Sequence, residues 1–476
     1  MQELEVVVGL EIHAQIRTRS KMFCRCSNDS FGAQPNTHVC PVCMGFPGML
    51  PVMNRDAFLK GVMAALAFHC EVPAFSKFDR KNYFYPDLPK GFQISQYDRP
   101  IAQQGWIDIL LDGHKKRIRI NRLHLENDAG KLVHVPAGTL CDYNRSGSPL
   151  MEIVSEPDLR SVKEASAYPE EVRRILRACG ASECDMEKGM MRFDANISLK
   201  KTNEKPLGTK VEIKNLNSFR ALERALAYEI GRQSEMLSNK KTISQETRGW
   251  DDVKGITVSQ RSKEEAHDYR YFPEPDLPPL VMTEEEVFAI KASLPELPLE
   301  RKLRFIESFG MSEEDASLLT EERSRADFFE KTVEVCRDAS KTLSFMNTIL
   351  MRHLHGDGKT LEDCRITPSN MGRLVVLVNE GTISNNMAKS EVFDEMYNTG
   401  KDPAVIIKEK GLAVISDKGA LEESCSCAIQ ANPVPAADYK RGKQNALGFL
   451  VGKVMQSMKG KANPAIVNEI LKKMLG

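Results

Sequence analysis

Residues 9–28 read GLEIHAQIRTRSKMFCRCSN, and thirteen residues after Cys26 comes CPVC at 40–43. The first half alternates as a half-buried strand does, with Leu10 and Ile12 on one side and Glu11 and His13 on the other. The second half supplies thiols. Cys24, Cys26, Cys40 and Cys43 form a C-x-C-x13-C-x2-C pattern, two close pairs joined by a loop long enough to fold back and close a tetrahedron, and zinc is the natural occupant. The four lie within twenty residues, among Gly, Pro and Asn, with no apolar helix to bury them, which sets zinc ahead of four free or buried cysteines. Four thiolates leave the metal no open position for water, so the expected role of this knuckle is structural. His38 is a less fitting substitute for one ligand.

At 476 residues and 41% hydrophobic, the chain is expected to hold two to four domains, each with a real core. No stretch approaches eighteen apolar residues, and MQELEVVVG has neither a basic start with an apolar run nor an Arg-rich leader, so the expectation is a protein neither secreted nor membrane-spanning. Twelve cysteines without an export signal suit a reducing compartment, the cytosol by default, and thiolate ligands rather than disulfides. Lysines plus arginines equal acids at 66 each, yet 438–476 holds eight basic residues against two acidic, a local +6 that leaves about −6 elsewhere. This points to a terminal module facing a polyanion, although a solvated helical face is the commoner cause of such a count.

Up to about residue 280 the chain reads as alternating strands with two helices. One starts at Ser161 with Glu164 completing a capping box, places Val172, Ile175, Leu176 and Cys179 on one face, and stops at Gly180. The other runs from Ser218 to Leu237 with Phe219, Leu222, Leu226 and Ile230 inward. PEPDLPP at 273–279 closes the region, because its four prolines continue neither a helix nor a central strand. A boundary near 290, helices capped at Thr283 and Ser312, the loop HLHGDGKT and a bundle of short helices from about 405 follow. The fold class is α+β.

Four strands pair apolar residues with chemically capable ones. Besides Glu11 and His13, RLHLEN turns out His124 and Glu126, MRFDANIS groups Arg192, Asp194 and Asn196, and TKVEIKN groups Lys210, Glu212 and Lys214; Glu152 lies in LMEIVSEPD. Any one is an ordinary wet face of an antiparallel sheet. Together they would make a hard, oxygen-rich site suited to Mg2+ and a phosphate, because clustered carboxylates repel one another unless a cation holds them. Beside them, DYNRSGSPL offers Arg145, Ser146, Gly147 and Ser148 as phosphate donors, or as a plain turn. GDGKT at 356–360 is not a Walker loop, since His353 stands where its first glycine belongs. Residues 80–97 interleave Arg80, Lys81 and Lys90 with Tyr83, Phe84 and Tyr85, either a base-stacking platform or an aromatic hairpin edge.

GLEIH, the cysteine quartet, RKNYFYPDLPKGFQISQ, HLENDAGK, DYNRSGSPLMEIVSEPD, MRFDANISL, VEIKNLNS and DYRYFPEPDLPP closely resemble the B subunit of aspartyl/glutamyl-tRNA amidotransferase, the GatCAB complex, over the whole chain. The resemblance implies a cradle domain with an antiparallel sheet over 1–290, its zinc knuckle at 24–43, then an all-α domain over 291–404 and a YqeY-like tail over 405–476 that contacts tRNA. It implies ATP-dependent phosphorylation of the side-chain carboxylate of Glu-tRNA(Gln) or Asp-tRNA(Asn), then amidation. By motif, Glu11, His13, Glu126 and Glu152 would surround Mg2+, with His13 alternatively orienting a water. Lys81, Tyr83, the 145–148 turn, Asp194, Glu212 and Lys214 are secondary candidates for ATP or substrate. The chain shows neither the glycine- and serine-rich amidase signature nor a glutaminase Cys-His context, so ammonia is expected from an A subunit, with a small C subunit completing a heterotrimer. Cys425 and Cys427 have no matching pair and are read as unliganded. The competing reading is a non-catalytic, zinc-containing tRNA-binding adaptor whose carboxylates merely solvate a sheet.

Overall fold

The computed structural model describes residues 4–202, 205–262, 269–413, 418–458 and 462–476. Strands β1 (Leu4–Gln15), β2 (Phe75–Ser76), β3 (Asp79–Asn82), β4 (Phe92–Ser95), β5 (Ala102–Leu111) and β6 (His114–Asn127) come first. A hairpin of β7 (Lys131–Val135) and β8 (Gly138–Asp142) leads to β9 (Pro149–Ser155), β10 (Met191–Lys201) and β11 (Val211–Leu216). Then come β12 (Glu246–Asp251), β13 (Ile256–Ser262), β14 (Phe272–Pro273) and β15 (Leu280–Val281). Eight strands form one sheet in the order β13-β12-β11-β10-β1-β9-β6-β5, which puts the opening strand in its interior. The sheet is not wholly antiparallel as the sequence suggested: β11 and β12 run parallel. Between them lies a helix, the crossover that a parallel pair requires.

Helices α1 (Arg55–Ala67), α2 (Val162–Ala178) and α3 (Phe219–Ser238) contribute to the same core as the apolar residues of the central strands, among them Leu10, Ile12, Leu125, Ile153 and Phe193. Helix α1 is additional to the two helices read from the sequence. Asn54 caps it by accepting from the amides of Asp56 and Ala57. Ala57, Phe58, Val62, Ala64 and Ala65 are all buried, so no broad polar face marks it in the sequence. At Gly61 a Cβ would lie 2.8 Å from Leu125 Cδ2 and 3.0 Å from Ile101 Cδ1, and its absence lets α1 approach the sheet closely.

The box expected at the start of α2 is half built. Ser161 accepts from the Glu164 amide at 3.2 Å, but the Glu164 carboxylate accepts from the Arg160 amide, one residue before the cap. Ser218 caps α3 on the Ala221 amide at 3.0 Å. Helix α4 (Glu284–Ala292) has the complete reciprocal box, between Thr283 and Glu286.

The chain divides into two compact units, Met1–Leu303 and Arg304–Gly476. In the second, helices bury one cluster between Phe305 and Leu412 and another between Leu421 and Leu475. Ser312 caps the helix Glu313–Thr320. Gly358, at φ 63°, ends the helix Met351–Asp357, so GDGKT is a helix terminus rather than a phosphate loop. Cys425 is buried and Cys427 exposed. Of the tail's basic residues, Lys459 and Lys461 lie outside the described residues.

Candidate active site

Residues paired across neighbouring strands share a face of the sheet. His124 on β6 pairs with Glu152 on β9, Glu152 with His13 on β1, and His13 with Arg192 on β10. Two residues along β1, Glu11 pairs with Asp194, and two further Gly9 pairs with Asn196, itself opposite Glu212 on β11. Separate sequence motifs thus fall into adjacent rows on one face, while the alternating apolar residues fill the core beneath.

The first row is tightly knit. His13 Nε2 lies 3.2 Å from Glu152 Oε2 and 4.0 Å from Glu126 Oε1. His124 Nε2 lies 3.2 Å from the same Glu152 oxygen and 3.8 Å from Glu126 Oε2. All four side chains are buried, and among the described residues neither imidazole Nδ1 has a hydrogen-bond partner. Burial opposes the charge on Glu152, but His124 and His13 outweigh it and hold the carboxyl well below the usual range. Glu126 is lowered too, against burial, chiefly by the neighbouring His124, with Lys81 and His13 adding to it. Burial works against charge on His124, yet Glu152 and Glu126 push it up to about 9.

This face is not wet. The segment carrying β3 and β4 lies beside it, and Ser95 donates to Glu126 Oε2 at 3.4 Å. Burial disfavours the Lys81 ammonium, but Glu126, Tyr271, Glu152 and Tyr269 together raise its pKa above the ordinary lysine value. Its Nζ sits 4.9 Å from the Tyr269 ring centre; Tyr83 meets Tyr269 edge-on at 5.9 Å, and Tyr97 stacks on Tyr271 at 4.3 Å. Arg80 secures the segment by a bidentate contact to buried Glu274, both bonds at 2.8 Å, and by packing over Phe92.

Glu11 belongs to a second group. One ligand atom each from Glu11, Asp194 and Glu212 lies within 4.8 Å of the others, as do those of His13, Glu126 and Glu152. The single four-ligand shell expected from the motifs is therefore divided, because Asp194 stands opposite Glu11 where Glu152 stands opposite His13. Lys214 Nζ lies 3.0 Å from Glu212 and 3.5 Å from Asp194, and Asn196 donates to Glu11 at 2.9 Å. Burial and then the Glu152 carboxylate raise the pKa of Glu11, with Asp194 and Glu212 adding to the effect.

The 145–148 turn spends its backbone amides and Arg145 on nearby carbonyls. The amides of Ser146, Gly147 and Ser148 donate to the carbonyls of Tyr143, Asp128 and Arg145, and Arg145 donates to those of Ala129 and Gly130. Gly147 takes φ 91°, and the turn supports Asp128, whose carboxylate pairs with Arg192 at 3.2 Å. Asp128 and the pair Tyr269 and Tyr271 were not singled out from the sequence; only their place in HLEND and DYRYF, next to residues that were, hinted at them. His124 was visible as a polar-face residue but not as the partner of Glu152.

The four knuckle sulfurs lie within 4.8 Å of one another. Zinc–sulfur bonds of about 2.3 Å in a tetrahedron need sulfurs about 3.8 Å apart, so the set fits zinc. A hydrogen bond from Cys24 pulls the Cys43 thiol down to about 5, against burial and helped by the Cys40 amide and Lys21. His38 gives its carbonyl to Lys21 at 2.7 Å, and its ring is not in the group.

Residues 6–288 match the GatB/GatE catalytic domain, and residues 327–475 match the GatB domain. The chain belongs to the GatB family. It is 50% identical over 480 residues to the B subunit of the aspartyl/glutamyl-tRNA(Asn/Gln) amidotransferase of Carboxydothermus hydrogenoformans, covering 100% of this chain and 99% of that one. The corresponding proteins of Caldicellulosiruptor saccharolyticus, 50% identical over 478 residues, and Brevibacillus brevis, 48% over 477, are covered to 99% of their lengths, by 99% and 100% of this chain. This member of the GatB family is thus one component of a tRNA-dependent amidotransferase that works with partner chains. Among the described residues no helix is long and apolar enough to cross a membrane.

Proposed function

We propose that this chain carries the activating and amidating step of the complex, in the cytosol. The side-chain carboxylate of Glu-tRNA(Gln), Asp-tRNA(Asn) or both attacks the γ-phosphorus of ATP, the bond to ADP breaks, and an acyl phosphate forms. Ammonia then attacks the acyl carbon, phosphate leaves, and the excess proton passes to solvent. A free carboxylate offers ammonia no adequate leaving group at neutral pH; phosphorylation supplies one.

The observation that carries this reading is the gathering of Glu11, Glu126, Glu152, Asp194 and Glu212 on one largely covered face, with Glu11 still pushed upward by its neighbours. Carboxylates so placed fit divalent cations. Mg2+ would be held by His13, Glu126 and Glu152, and a further ion by Glu11, Asp194 and Glu212; when bound, such ions draw charge from the transferring phosphoryl oxygens. Lys81 and Lys214 stand as fixed cations beside the two groups and counter the same charge. Tyr83, Tyr269 and Tyr271 offer rings on which adenine or the terminal base of tRNA stacks. The cover over Glu126 restricts water, which an acyl phosphate requires. Cys24, Cys26, Cys40 and Cys43 hold structural zinc, an amidase subunit supplies ammonia, a small C subunit completes the heterotrimer, and the basic tail meets the tRNA body.

One observation favours the adaptor reading: Glu152 already has two imidazoles for partners, as a purely structural row would. Reconstitution with both partners decides. Glu126→Ala and Glu152→Ala should abolish amidation of Glu-tRNA and Asp-tRNA with ATP and glutamine while tRNA still binds. Retained amidation would establish the adaptor.

A further inference from the structure

Lys21, three residues before the first knuckle cysteine, is fully buried. A lysine so placed forfeits the hydration of its ammonium and keeps its charge only where partners make up the loss. Its Nζ donates to the His38 carbonyl at 2.7 Å and to the Tyr143 carbonyl at 3.3 Å, and its third contact, at 3.8 Å, is the Cys43 sulfur. The carbonyls offer dipoles; the sulfur offers an anion once it ligates zinc. The stem is seated as closely as the head. A Cβ on Gly147 would lie 3.5 Å from Lys21 Cδ and 3.4 Å from Cys43 Cβ, so the 145–148 turn rests on both residues at once.

The same contacts tie the knuckle to a segment that frames the catalytic face. His38 belongs to the loop between the two cysteine pairs, and Tyr143 leads into the 145–148 turn, so the ammonium spans both. Around it the loop and the turn clasp directly: the His38 amide donates to the Asn144 side chain at 2.8 Å, the Tyr143 amide to the Asn36 side chain at 2.8 Å, and Asn144 Nδ2 to the Gln34 carbonyl at 2.6 Å. From the turn the Gly147 amide donates to the Asp128 carbonyl at 2.9 Å, and the Asp128 carboxylate pairs with Arg192, the cross-strand neighbour of His13. Zinc with four thiolates is a dianion, and the same cysteines without metal carry less negative charge, so an ammonium fixed beside them favours the loaded centre over the empty one. We infer that Lys21 is a positioning residue that couples the zinc knuckle to the catalytic face: its ammonium is the counter-charge of the zinc–thiolate centre, and by holding His38 and Tyr143 together it passes metal occupancy to the turn, and so to Asp128 and Arg192. A lysine that served packing alone would favour the loaded and metal-free proteins equally.

The inference rests on the assignment of zinc to the four cysteines proposed above, and metal analysis of the unaltered chain tests that assignment by itself. In the full-length chain, Lys21→Met and the milder Lys21→Gln, which keeps a neutral donor for the two carbonyls, should bind zinc about 10- to 100-fold more weakly in competition with a chelator, the effect expected when a group bonded to a metal ligand is removed. With Co2+ in place of zinc, the sulfur-to-metal charge-transfer absorption should move to longer wavelength, because the Cys43 sulfur, relieved of a neighbouring positive charge, gives up electron density more easily. Hydrogen exchange at the Ser146, Gly147 and Ser148 amides should quicken when zinc is chelated from the parent, while helix α3 in the same unit stays protected. In Lys21→Gln that dependence on zinc should shrink by about threefold or more. Where Lys21→Met does not fold, Lys21→Gln carries the test. The inference is overturned if Lys21→Gln binds zinc within about twofold of the parent with an unmoved cobalt band, if chelation leaves the turn unchanged or exposes α3 equally, or if the variant loses the same urea stability loaded and metal-free. Absence of zinc from the freshly purified parent would instead remove the zinc assignment.

Discussion

Glu152→Gln removes the central charge of the first row while keeping its shape. Burial alone would lower the pKa of His124; Glu152, with Glu126, carries it to about 9. The rise from 6.5 is worth about 3 kcal/mol at 1.36 kcal/mol per unit. The folded value lies above the unfolded one, so this stabilisation is complete below about pH 6.5 and is lost as pH climbs through 9. The Glu152 carboxyl is shifted the other way, and its share is lost only in acid, as pH falls through its depressed folded value. In the variant, Glu126 alone opposes the burial of His124. Metal-free Glu152→Gln should therefore be about 2–3 kcal/mol less stable than the parent at pH 6, with the gap narrowing toward pH 9.5. Urea denaturation followed by tryptophan fluorescence measures this, since both tryptophans, Trp106 and Trp250, lie in the first unit. A histidine-resolved NMR titration should show the His124 imidazole losing its proton at least one unit lower. Parallel stability profiles for parent and variant from pH 6 to 9.5, or an unmoved His124 titration, would refute the reasoning.

Glu11→Ala should cost amidation on the order of 100-fold, with tRNA affinity within a factor of two, because the group it leaves lies in the acidic cluster and not at the tail; equal losses in affinity and rate would contradict that. Elemental analysis should find one zinc per chain, lost in Cys43→Ser, with Cys24, Cys26 and Cys40 becoming reactive to a thiol reagent only after chelation. Gly105→Ala should destabilise the first unit by about 2 kcal/mol, read from the urea midpoint, because the new Cβ would lie 2.2 Å from Cys70 Sγ and 2.7 Å from the Phe68 carbonyl oxygen.

What the sequence discloses here depends on the range of the interaction. The cysteine quartet is legible because its ligands are close along the chain and their spacing is itself the geometry. Alternation of Glu11 and His13 against Leu10 and Ile12 is equally local, and β1 is a strand with those faces. Helix α1 is hidden because Ala57, Phe58, Val62 and Ala64 leave it too little polar surface to set a period. The parallel pairing of β11 with β12 is hidden for another reason, since alternation is blind to strand direction. Within the site, period two says that Glu11 and His13 share a face, but not that Asp194 meets one and Glu152 the other; register across strands does that. In the 145–148 turn a sequence shows which groups exist, not where Tyr143, Asp128 and Arg145 place the carbonyls that take up its backbone amides.

The two acidic groups are distinct in geometry yet joined in electrostatics, and Glu152 is the joint. It is the acceptor that both imidazoles share, and after burial it is the strongest influence raising Glu11. A change at Glu152 must therefore act on both groups at once, on β6 and on β1: His124 gives up its proton more readily, and Glu11 relaxes downward toward its ordinary 4.5. A cation at Glu11, Asp194 and Glu212 would lose the attraction of the Glu152 carboxylate and be held less firmly in Glu152→Gln, even though Glu152 belongs to the group around His13. Two independent sites would not both weaken on the loss of one carboxylate.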